Sequence, residues 1–519
     1  MMPAKQNSSL TSLQFLLAGM LEMDSDLLVA GLSVDARNIQ KNNVFLAVAG
    51  TQQHGLMYAE QAVQAGAVAI IYDPESGGDF LAEKVKKKHN VCLLRLPKLN
   101  EHISVIAARL YKCPSNELSV IGITGTNGKT SVSHFIGKAL SGDEGACGVI
   151  GTLGWGRIEE LKETINTTPD AVSVQQQLAA LLDEGVTKVA MEVSSHGLDQ
   201  GRVNAVEFKG AVFTNLSHDH LDYHQTIEAY GEAKLALFKC PSLKFVVLNQ
   251  DDDFSNNIKK IVLPNVKVYT FSRSEKCVAI ESCLRISNEK LISTGLSFDL
   301  SFNGFTRRIN SGLFGAFNID NIVATIAVLI AMGDGFEAAV AKAEKATGVD
   351  GRMQRVLAES SKHVPTVVVD YAHTPEALKL ALLSLREHCE GTLRLVFGCG
   401  GNRDESKRPL MGAIAAELAD SVVITTDNPR FESASTIAEQ IKVGTEGRAD
   451  LNVILDRGEA IKQTIAMAAE DDIILVAGKG HEDYQQIRDE KITFSDVVHV
   501  NEALKNRVLT DEGDGGCKP

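Results

Sequence analysis

The feature that most constrains the fold is a succession of short apolar runs separated by helical patterns. The first third of the chain has NVFLAVAG, AVAIIYD and VCLLRL, and the middle has LSVIGIT, TKVAMEV, FKGAVFTNL and KFVVLN. The last third has TVVVDYA, LRLVFGCG, SVVITTDN, NVILD and DIILVAGKG. Short apolar runs that alternate with helices indicate parallel sheets covered on both faces. The sequence therefore predicts an α/β protein.

The domain organisation follows from where this alternation is interrupted. The segment KCPSNELS at 112–119 breaks it with a proline and a cluster of turn residues. A length of 519 residues is enough for two to four domains. We predict three, at 1–115, 116–345 and 346–519.

Composition excludes several classes of protein. The net charge of -14 argues against a nucleic-acid-binding surface, so an anionic substrate needs local cationic pockets. The nine cysteines form no CxxC pair, which is typical of reduced thiols in a cytosol. We expect no signal peptide and no membrane span, because cleavage-site and long apolar patterns are missing from the sequence. These observations predict a soluble intracellular enzyme.

The stretch GITGTNGKTS at 122–131 resembles a phosphate-binding loop with unusual glycine spacing. The common pattern has a glycine five residues before the Gly-Lys pair, where this sequence has Ile123. The stretch nevertheless follows an apolar run and begins a helical pattern, which places backbone N–H groups toward phosphates. Lys129 would then reach the β/γ-phosphates and Thr130 would bind Mg²⁺. The alternative is a glycine-rich turn with a surface lysine.

Two downstream segments carry further candidate metal ligands. The run VAMEV ends at Glu192, where a phosphate-loop enzyme needs a second Mg²⁺ carboxylate, although a strand-terminal glutamate can also face solvent. The segment HDHLDYH at 218–224 has three histidines and two aspartates. We interpret His220 as the ligand of a second, hard ion; a capped helix start with solvated histidines and an adventitious metal site are the alternatives.

Polar clusters end four apolar runs in the last third of the chain. They are Asp370–His373, Gly398–Arg403, Asp427–Arg430 and Gly478–Glu482. Ligands of open parallel sheets bind outside the carboxyl ends of the strands. The four clusters together therefore predict a binding site at one edge of a sheet.

These motifs, in order, resemble those of a known family. GITGTNGKT, NTTPD, MEVSSHGLDQGR, NLSHDHLDYH, EAK, GRMQRV, DYAHTPEAL, GGNRDESKRPLM, DNPR and AGKGHEDYQ are similar to motifs of the Mur ligases of bacterial cell-wall synthesis. The resemblance extends from about residue 30 to residue 500 and is strongest to the tripeptide-forming members. It implies a central phosphate-loop ATPase-like sheet, an N-terminal α/β domain that binds UDP, and a C-terminal Rossmann-like domain.

The resemblance also implies a reaction. ATP phosphorylates the D-Glu side-chain carboxylate of UDP-N-acetylmuramoyl-L-Ala-D-Glu, and an amine attacks the acyl phosphate through a tetrahedral intermediate. The implied cofactors are two Mg²⁺ ions and CO₂ for a carbamylated Lys234. The implied protein is a cytoplasmic monomer without nucleic-acid partners or membrane insertion.

Site residues are carried over by matching motifs. The residues expected to act in catalysis are Lys129, Glu192, His220, Lys234 and His373. The expected metal ligands are Thr130, Glu192, His220 and the carbamate of Lys234. The expected ATP contacts are Gly125, Thr126, Asn127, Gly128, Lys129, Thr130, Asn318, Asn321, Arg352 and Asp370.

Substrate residues follow in the same way. Those expected to hold the UDP-sugar peptide are Ser33, Thr51, Gln52, Gln53, Thr167, Thr168, Ser194, Gln200 and Arg202. In VDARN, Ala36 replaces the serine of relatives, which removes one expected uridine contact. Those expected to hold the amino acid are Arg403, Asp427, Asn428, Pro429, Arg430, Gly478 and Glu482.

The DNPR form of the third cluster is associated with meso-diaminopimelate as the added amino acid. Diaminopimelate is lysine with an extra carboxylate, and Arg430 offers a planar fork for bidentate pairing with it. Glu482 is expected to meet the distal ammonium, and Ala434 replaces a proline common in relatives. Three alternatives stay open: a lysine-adding ligase, a folylpolyglutamate synthetase, whose relatives lack the first domain, and a nucleotide-binding protein without ligase activity.

Overall fold

A computed structural model describes residues 10–50, 53–142, 146–275, 277, 281–345, 348–349, 351–357, 364–446 and 450–514. The chain divides into two compact units, Met1–Phe271 with Ala327–Asp334 and Ser272–Ile326 with Gly335–Pro519. Parallel sheets covered by helices confirm the predicted α/β class. The three domain boundaries stay a prediction.

The first unit begins with a four-stranded parallel sheet in the order β3-β4-β5-β6. The elements of this segment are β1 (Thr11–Ser12), α1 (Leu13–Leu16), β2 (Leu28–Val29), β3 (Gly31–Ser33), β4 (Asn43–Ala47), α2 (Ala59–Gln64), β5 (Ala69–Tyr72), α3 (Gly78–Lys88), β6 (Cys92–Arg95) and α4 (Leu99–Leu110). The short β1 and β2 pair with each other outside this sheet.

The first unit continues with a larger sheet. Its elements are β7 (Ser119–Thr124), α5 (Lys129–Leu140), β8 (Cys147–Gly151), β9 (Gly154–Arg157), β10 (Glu160–Lys162), α6 (Ala171–Asp183), β11 (Lys188–Glu192), α7 (Ser195–Asp199), β12 (Phe208–Phe213), α8 (Leu221–His224), α9 (Ile227–Phe238), β13 (Phe245–Asn249), α10 (Ser255–Ile261) and β14 (Lys267–Ser272). The order is β10-β9-β8-β11-β7-β12-β13-β14, parallel from β8 onward.

The rest of the chain forms an antiparallel meander and a second parallel sheet. Its elements are β15 (Cys283–Ile292), β16 (Gly295–Phe302), β17 (Phe305–Ser311), α11 (Phe317–Ala331), α12 (Phe336–Ala343), β18 (Gln354–Val356), β19 (Thr366–Asp370), α13 (Pro375–Arg386), β20 (Leu393–Phe397), α14 (Lys407–Leu418), β21 (Ser421–Ile424), α15 (Ala434–Val443), β22 (Leu451–Val453), α16 (Arg457–Met467), β23 (Ile473–Ala477), β24 (Tyr484–Ile487), β25 (Glu490–Thr493) and α17 (Asp496–Asp514). The sheet order is β18-β19-β23-β20-β21-β22, with only β18 antiparallel among these strands.

Apolar residues on both faces explain why the parallel strands form. Along β19, Val368 packs into one core cluster while Val367 and Val369 pack into another on the opposite face. Successive side chains of a strand point to opposite faces, so a strand buried on both faces needs a continuous apolar run. The polar residues that follow these runs therefore lie where the strands leave the sheet.

The register brings the carboxyl ends of neighbouring strands to one edge. In the first unit, Glu192 at the end of β11 pairs with Ile123, and Phe213 at the end of β12 pairs with Thr124. In the second unit, Asp370 at the end of β19 pairs with Ala477 at the end of β23. Each sheet thus presents its post-strand loops together at the edge used for ligands in this architecture.

His134 on α5 predicts an acid-sensitive first unit. It is buried, its Nε2 has no hydrogen-bond partner among the described residues, and burial lowers its pKa to about 4. Because the unfolded imidazole binds a proton near pH 6.5 and the folded one does not, stability falls as pH falls through this range. We expect a loss of about 2 kcal/mol between pH 7 and pH 5.

Urea unfolding of the wild type and of His134→Leu at both pH values tests this expectation. Fluorescence of Trp155, the single tryptophan, reports on the core of the first unit, against which it packs. The variant should lose about 2 kcal/mol less than the wild type between the two pH values. An equal loss in both proteins would show that other groups control the acid sensitivity.

Two further expectations concern cysteines and membranes. Cys277 and Cys283 form a disulfide, with Cα atoms 5.6 Å apart, so the expectation of reduced thiols is wrong at this pair. Both lie just before or at the start of β15, which brings them within bonding reach, and six other described cysteines are free thiols. Among the described residues, every helix is too short or too polar to cross a membrane.

Candidate active site

The predicted phosphate loop connects the end of β7 to the start of α5. Gly125 and Gly128 both have positive φ angles, of 150° and 86°. A Cβ atom at Gly125 would lie 1.9 Å from Thr214 Oγ1, so only glycine fits there. Among the described residues no side chain caps the start of α5, so its first backbone N–H groups can bind an anion beside a tightly packed loop.

Asn215 lies just after β12 and stabilises this loop by hydrogen bonds. Its carbonyl oxygen accepts from Thr126 N at 2.8 Å, and its Oδ1 accepts from Asn127 N at 2.9 Å. Its Nδ2 donates to the Asn127 carbonyl oxygen at 3.2 Å. The loop conformation is thus fixed by residues about ninety positions away, through the pairing of β7 with β12.

Two lysines meet at the carbonyl oxygen of Gly125. Lys129 Nζ donates to it at 2.9 Å and to the Thr126 carbonyl oxygen at 2.8 Å, and Lys234 Nζ donates to it at 2.9 Å. Burial lowers the pKa of Lys129. Burial, together with the charge of Lys129, lowers the pKa of Lys234 to about 6. At neutral pH the Lys234 amine is therefore largely uncharged.

Glu192 is fully buried at the end of β11. Its Oε2 accepts from Thr130 Oγ1 at 3.0 Å and from Thr152 Oγ1 at 3.1 Å, and its Oε1 accepts from Thr152 N at 2.9 Å. Burial raises its pKa. A buried carboxylate in contact with the loop threonine is a hard oxygen donor set of the kind that Mg²⁺ prefers. The residues predicted to hold the ATP-side ion thus lie together.

His220 is not among the hydrogen-bond partners that the described residues give Glu192. Its side chain is exposed, and its Nε2 lies 3.6 Å from Asp219 Oδ2. Its backbone is left-handed, with a φ of 53°. Its ring centroid lies 6.0 Å from that of Tyr230, and Lys234 Nζ lies 4.2 Å from the same tyrosine ring. Among the described residues no group of three or more His, Cys, Asp or Glu side chains is close enough to hold an ion. The second metal site stays a prediction.

The residues predicted to hold the peptide end of the substrate form one network around Thr168. Thr168 Oγ1 donates to the Glu192 carbonyl oxygen at 2.9 Å and accepts from Ser194 N at 2.9 Å. Arg202 Nη1 donates to the Thr168 carbonyl oxygen, and its Nη2 donates to Gln200 Oε1, both at 2.6 Å. Thr167 contacts Thr152, 3.0 Å between hydroxyls. Thr168 thereby links this network to the carboxylate strand.

A cavity of about 400 Å³ lies against β3 in the first unit. Ser33, Asp35 and Arg37 line it, together with Asp170 and Ser173 at the start of α6. Ser33 was predicted from sequence, whereas Ala36 is buried and does not line the cavity. The position at which relatives have serine is therefore not part of the cavity wall in this chain.

The other residues predicted in this region are only partly described. Gln53 Oε1 accepts from the Tyr58 hydroxyl at 3.1 Å, so its side chain is held by its own loop. Thr51 and Gln52 lie outside the described residues. The structure therefore does not bear on their predicted contacts.

Arg430 occupies the edge of the second unit's sheet, as predicted. Its backbone is left-handed, with a φ of 51°. The Arg430 backbone N–H donates to the Gln486 carbonyl oxygen at 3.1 Å, which pairs Arg430 with the hairpin of β24 and β25. Its Nη1 donates to the Gly401 carbonyl oxygen at 2.9 Å, and its Nε donates to Gln486 Oε1 at 3.3 Å. The guanidinium is thus oriented by one predicted cluster, through Gly401, and by Gln486 of the hairpin.

Three of the predicted clusters meet around Asn428. Asn428 Nδ2 donates to Glu482 Oε2 at 2.8 Å, and the Asn428 carbonyl oxygen accepts from Gly401 N at 2.9 Å. A Cβ atom at Gly478 would lie 2.7 Å from Asp427 Oδ2, so this glycine permits the close approach. Pro429 follows in the same loop, and its carbonyl oxygen accepts from Glu432 N. Arg403 is exposed and has no hydrogen bond or ion pair within the described chain.

The predicted nucleotide contacts of the second unit are mostly engaged in local structure. Asn318 Nδ2 donates to the Phe314 carbonyl oxygen, and its Oδ1 accepts from Asn321. Asp370 is buried, which raises its pKa, and accepts from Met353 N and Ala372 N. The other two candidates lie beside the Tyr371 ring: the half-buried Arg352 at 5.1 Å and the exposed His373 at 4.6 Å.

Sequence reasoning missed several residues of both edges. Thr152 follows β8 and supplies two of the hydrogen bonds to Glu192. Lys479, within the fourth cluster, is fully buried and contacts Glu482, and Gln486 orients Arg430. The available signal was position, since Thr152 also comes directly after an apolar run.

Comparison with known proteins identifies the family. Three family models match: "Mur ligase family, catalytic domain" at 28–110, "Mur ligase middle domain" at 123–329, and "Mur ligase, glutamate ligase domain" at 351–480. The chain belongs to the Mur ligase family. The matched ranges of this Mur ligase include the phosphate loop, Glu192 and Arg430, and the last range ends just before Glu482.

Relatives of this Mur ligase are similar over nearly the whole chain. A UDP-N-acetylmuramoyl-L-alanyl-D-glutamate–2,6-diaminopimelate ligase of Alkalilimnicola ehrlichii is 42% identical over 92% of this chain and 95% of its own. A ligase of the same name from Coxiella burnetii is 41% identical over 93% and 97%. A solved structure bearing that name is 34% identical, with a TM-score of 0.71 over 96% of this chain and 99% of its own.

A more distant structure shares the fold alone. The folylpolyglutamate synthase of Mycobacterium tuberculosis is 18% identical, with a TM-score of 0.54, over 80% of this chain and 95% of its own. The shared fold explains why the phosphate-loop motifs by themselves left that enzyme class open. The similarity to the diaminopimelate ligases is higher in identity, in TM-score and in coverage.

Proposed function

We propose that this Mur ligase adds meso-diaminopimelate to the D-Glu side-chain carboxylate of UDP-N-acetylmuramoyl-L-Ala-D-Glu, a step of peptidoglycan precursor synthesis. ATP transfers its γ-phosphoryl group to that carboxylate, and the amine then displaces phosphate through a tetrahedral intermediate. The observation that carries the proposal is the match, over 92–93% of the chain, to relatives named for this reaction.

The loop between β7 and α5 binds the ATP phosphates in this proposal. Its support is the glycine conformations, the start of α5, which no side chain of the described residues caps, and the nearby Lys129 side chain. Lys129 turns from the carbonyl oxygens of its own loop to the transferring phosphoryl group. Positioning and charge neutralisation account for most of the catalysis of such transfers.

Thr130 and Glu192 hold Mg²⁺ in this proposal. Support comes from the 3.0 Å contact between Thr130 Oγ1 and Glu192 Oε2, and from burial that makes the carboxylate favour a cationic partner. Mg²⁺ neutralises phosphate charge when bound. Thr152 keeps Glu192 oriented by bonding both of its oxygens. His220 is the proposed ligand of a second ion.

Lys234 is carbamylated in this proposal: its neutral amine attacks CO₂, an N–C bond forms, and one N–H proton is released to solvent. Carbamylation requires a neutral amine, and the lowered pKa of about 6 supplies one at neutral pH. The modification places a negative charge beside Lys129. A protonated Lys234 would instead repel Lys129, because both side chains donate to the Gly125 carbonyl oxygen. The remaining N–H of the carbamate can keep the bond to Gly125.

The amino-acid site lies at the edge of the second unit's sheet. Arg430 pairs with the extra carboxylate of diaminopimelate, and Glu482 accepts from its distal ammonium, while Arg403 is free to contribute a second guanidinium. The site favours diaminopimelate over lysine because lysine would leave Arg430 without its anion.

We also infer that the protein acts as a cytoplasmic monomer. Light scattering of the purified chain would test the monomeric state.

The deciding experiment measures phosphate release with ATP, Mg²⁺ and UDP-N-acetylmuramoyl-L-Ala-D-Glu. We expect turnover with meso-diaminopimelate and almost none with L-lysine. Turnover with lysine alone would keep the ligase mechanism but contradict the proposed amino acid. No amine-dependent release with either compound would contradict the ligase function itself.

A further inference from the structure

Lys479 is a buried cation at the amino-acid site that the proposed mechanism does not use. It lies two residues after the end of β23 and is fully buried. Its Nζ donates to Glu482 Oε2 at 2.9 Å and to Asn428 Oδ1 at 3.1 Å. Burying an ammonium is costly unless it is paired and hydrogen-bonded, so these two contacts determine where the group can lie.

The contacts of Glu482 are divided unequally between its two oxygens. Oε2 accepts from both Lys479 Nζ and Asn428 Nδ2, at 2.9 and 2.8 Å. Oε1 takes no hydrogen bond from any described residue, and the side chain is 18% exposed. The carboxylate is therefore anchored by one oxygen and presents the other to whatever enters the site.

Asn428 is held in the same way from the other side. Its Oδ1 accepts from Lys479 Nζ and from Gln486 N, the latter at 2.8 Å, and its Nδ2 is used by Glu482. Gln486 is also the residue whose Oε1 accepts from Arg430 Nε. Lys479 thus lies at the centre of a network that connects Glu482 to Arg430.

We propose that Lys479 is a positioning residue that sets the geometry of the amino-acid site by anchoring Glu482 and Asn428. It fixes the direction of Glu482 Oε1 toward the ammonium of the incoming amino acid without touching that amino acid. This inference rests on the proposed function of the same site. Loss of Lys479 leaves Glu482 Oε2 with the Asn428 bond alone and leaves Asn428 Oδ1 with one donor fewer.

The test uses the full-length Lys479→Met variant in the phosphate-release assay. We expect the KM for diaminopimelate to rise about 10- to 100-fold, as for loss of hydrogen bonds to a charged group. Formation of the acyl phosphate, trapped by hydroxylamine as the hydroxamate without any amino acid, should stay at the wild-type rate. Lys491→Met is the matched control, because its exposed Nζ packs 4.0 Å from the Tyr484 ring on the same hairpin.

A double-mutant cycle with Glu482→Gln separates positioning from a general structural role. If Lys479 acts through Glu482, the double variant should raise the KM for diaminopimelate no further than the more damaging single variant. Additive effects, or an unchanged KM in Lys479→Met, would overturn the proposal. If Lys479→Met does not fold, Lys479→Gln replaces it, because glutamine retains a hydrogen-bond donor. We then expect an intermediate rise in the KM for diaminopimelate. An unchanged KM in Lys479→Gln, or additive effects in the double variant, would overturn the proposal.

The failure of this inference is distinguishable from failure of the proposed function. A wild-type protein without diaminopimelate-dependent phosphate release contradicts the function. An active wild type together with an unaffected Lys479→Met variant contradicts only the positioning role.

Discussion

Replacing Lys234 with alanine is expected to lower ligase turnover about 10³-fold, the upper range for loss of one preorganised charged group. Lys234 is 1% exposed, and its Nζ lies 2.9 Å from the carbonyl oxygen of Gly125 in the phosphate loop. The carbamate of Lys234 would place a negative charge beside Lys129, so its removal changes the field at the transferring phosphoryl group. Phosphate release in the presence of all three substrates measures the loss.

The sign of the missing charge is tested by chemical rescue. Alanine leaves a space at the end of the side chain that acetate or formate can enter, so added carboxylate should restore part of the turnover. Lys234→Met fills that space and should show no rescue. Rescue by short alkylamines instead of carboxylates would show that the ammonium is the active form.

A matched control comes from the same helix. Lys239 caps the carboxyl end of α9 and is exposed, so Lys239→Ala should keep wild-type turnover. Unchanged turnover in Lys234→Ala would contradict the carbamate. Circular dichroism of the variants checks that the fold persists.

The strand ends were predictable because parallel sheets obey simple geometry. A run such as IILVA is apolar throughout and therefore buried on both faces, so the polar residues after it must lie at the edge. Glu192 and Asp427 were found in this way, and the structure places both there. Local sequence was sufficient since the position depends only on where the strand ends.

Residues that complete the site from other elements were not predictable in this way. Thr152 reaches Glu192 because β8 pairs with β11, and Gln486 reaches Arg430 because the β24–β25 hairpin lies beside it. Strand order and hairpin position depend on the whole fold. Asn318 illustrates the opposite case, since a motif residue expected at the nucleotide donates within its own helix start.

Removing the guanidinium of Arg430 is expected to have the largest effect on substrate choice. A site built around a polar group discriminates against an analogue that lacks it by about 10⁴- to 10⁵-fold. Arg430→Met removes the group that distinguishes diaminopimelate from lysine, so the ratio of kcat/KM values for the two amines should fall to about 10 or less. Assays with each amine at saturating ATP measure this ratio.

Arg430→Lys shows whether the shape of the cation matters beyond its charge. The wild-type guanidinium is aimed by the Gly401 carbonyl oxygen and by Gln486 Oε1, whereas an ammonium offers no planar fork. We therefore expect the lysine variant to regain only part of the preference for diaminopimelate. Arg488→Met is the control, because this exposed neighbour contacts Arg430 through its backbone N–H and should leave the preference unchanged.

Loss of carboxylate binding and loss of the loop structure would change the kinetics in different ways. Assays with both amines therefore decide which of the two roles Arg430 has. If Arg430 binds only the extra carboxylate, Arg430→Met should lower kcat/KM for diaminopimelate and leave that for lysine unchanged or higher, since lysine never used the guanidinium. Equal losses with both amines would instead mean that Arg430 maintains the loop from Asp427 to Arg430 itself. In that case its left-handed backbone and its pairing with β24, rather than its charge, would be what the site requires.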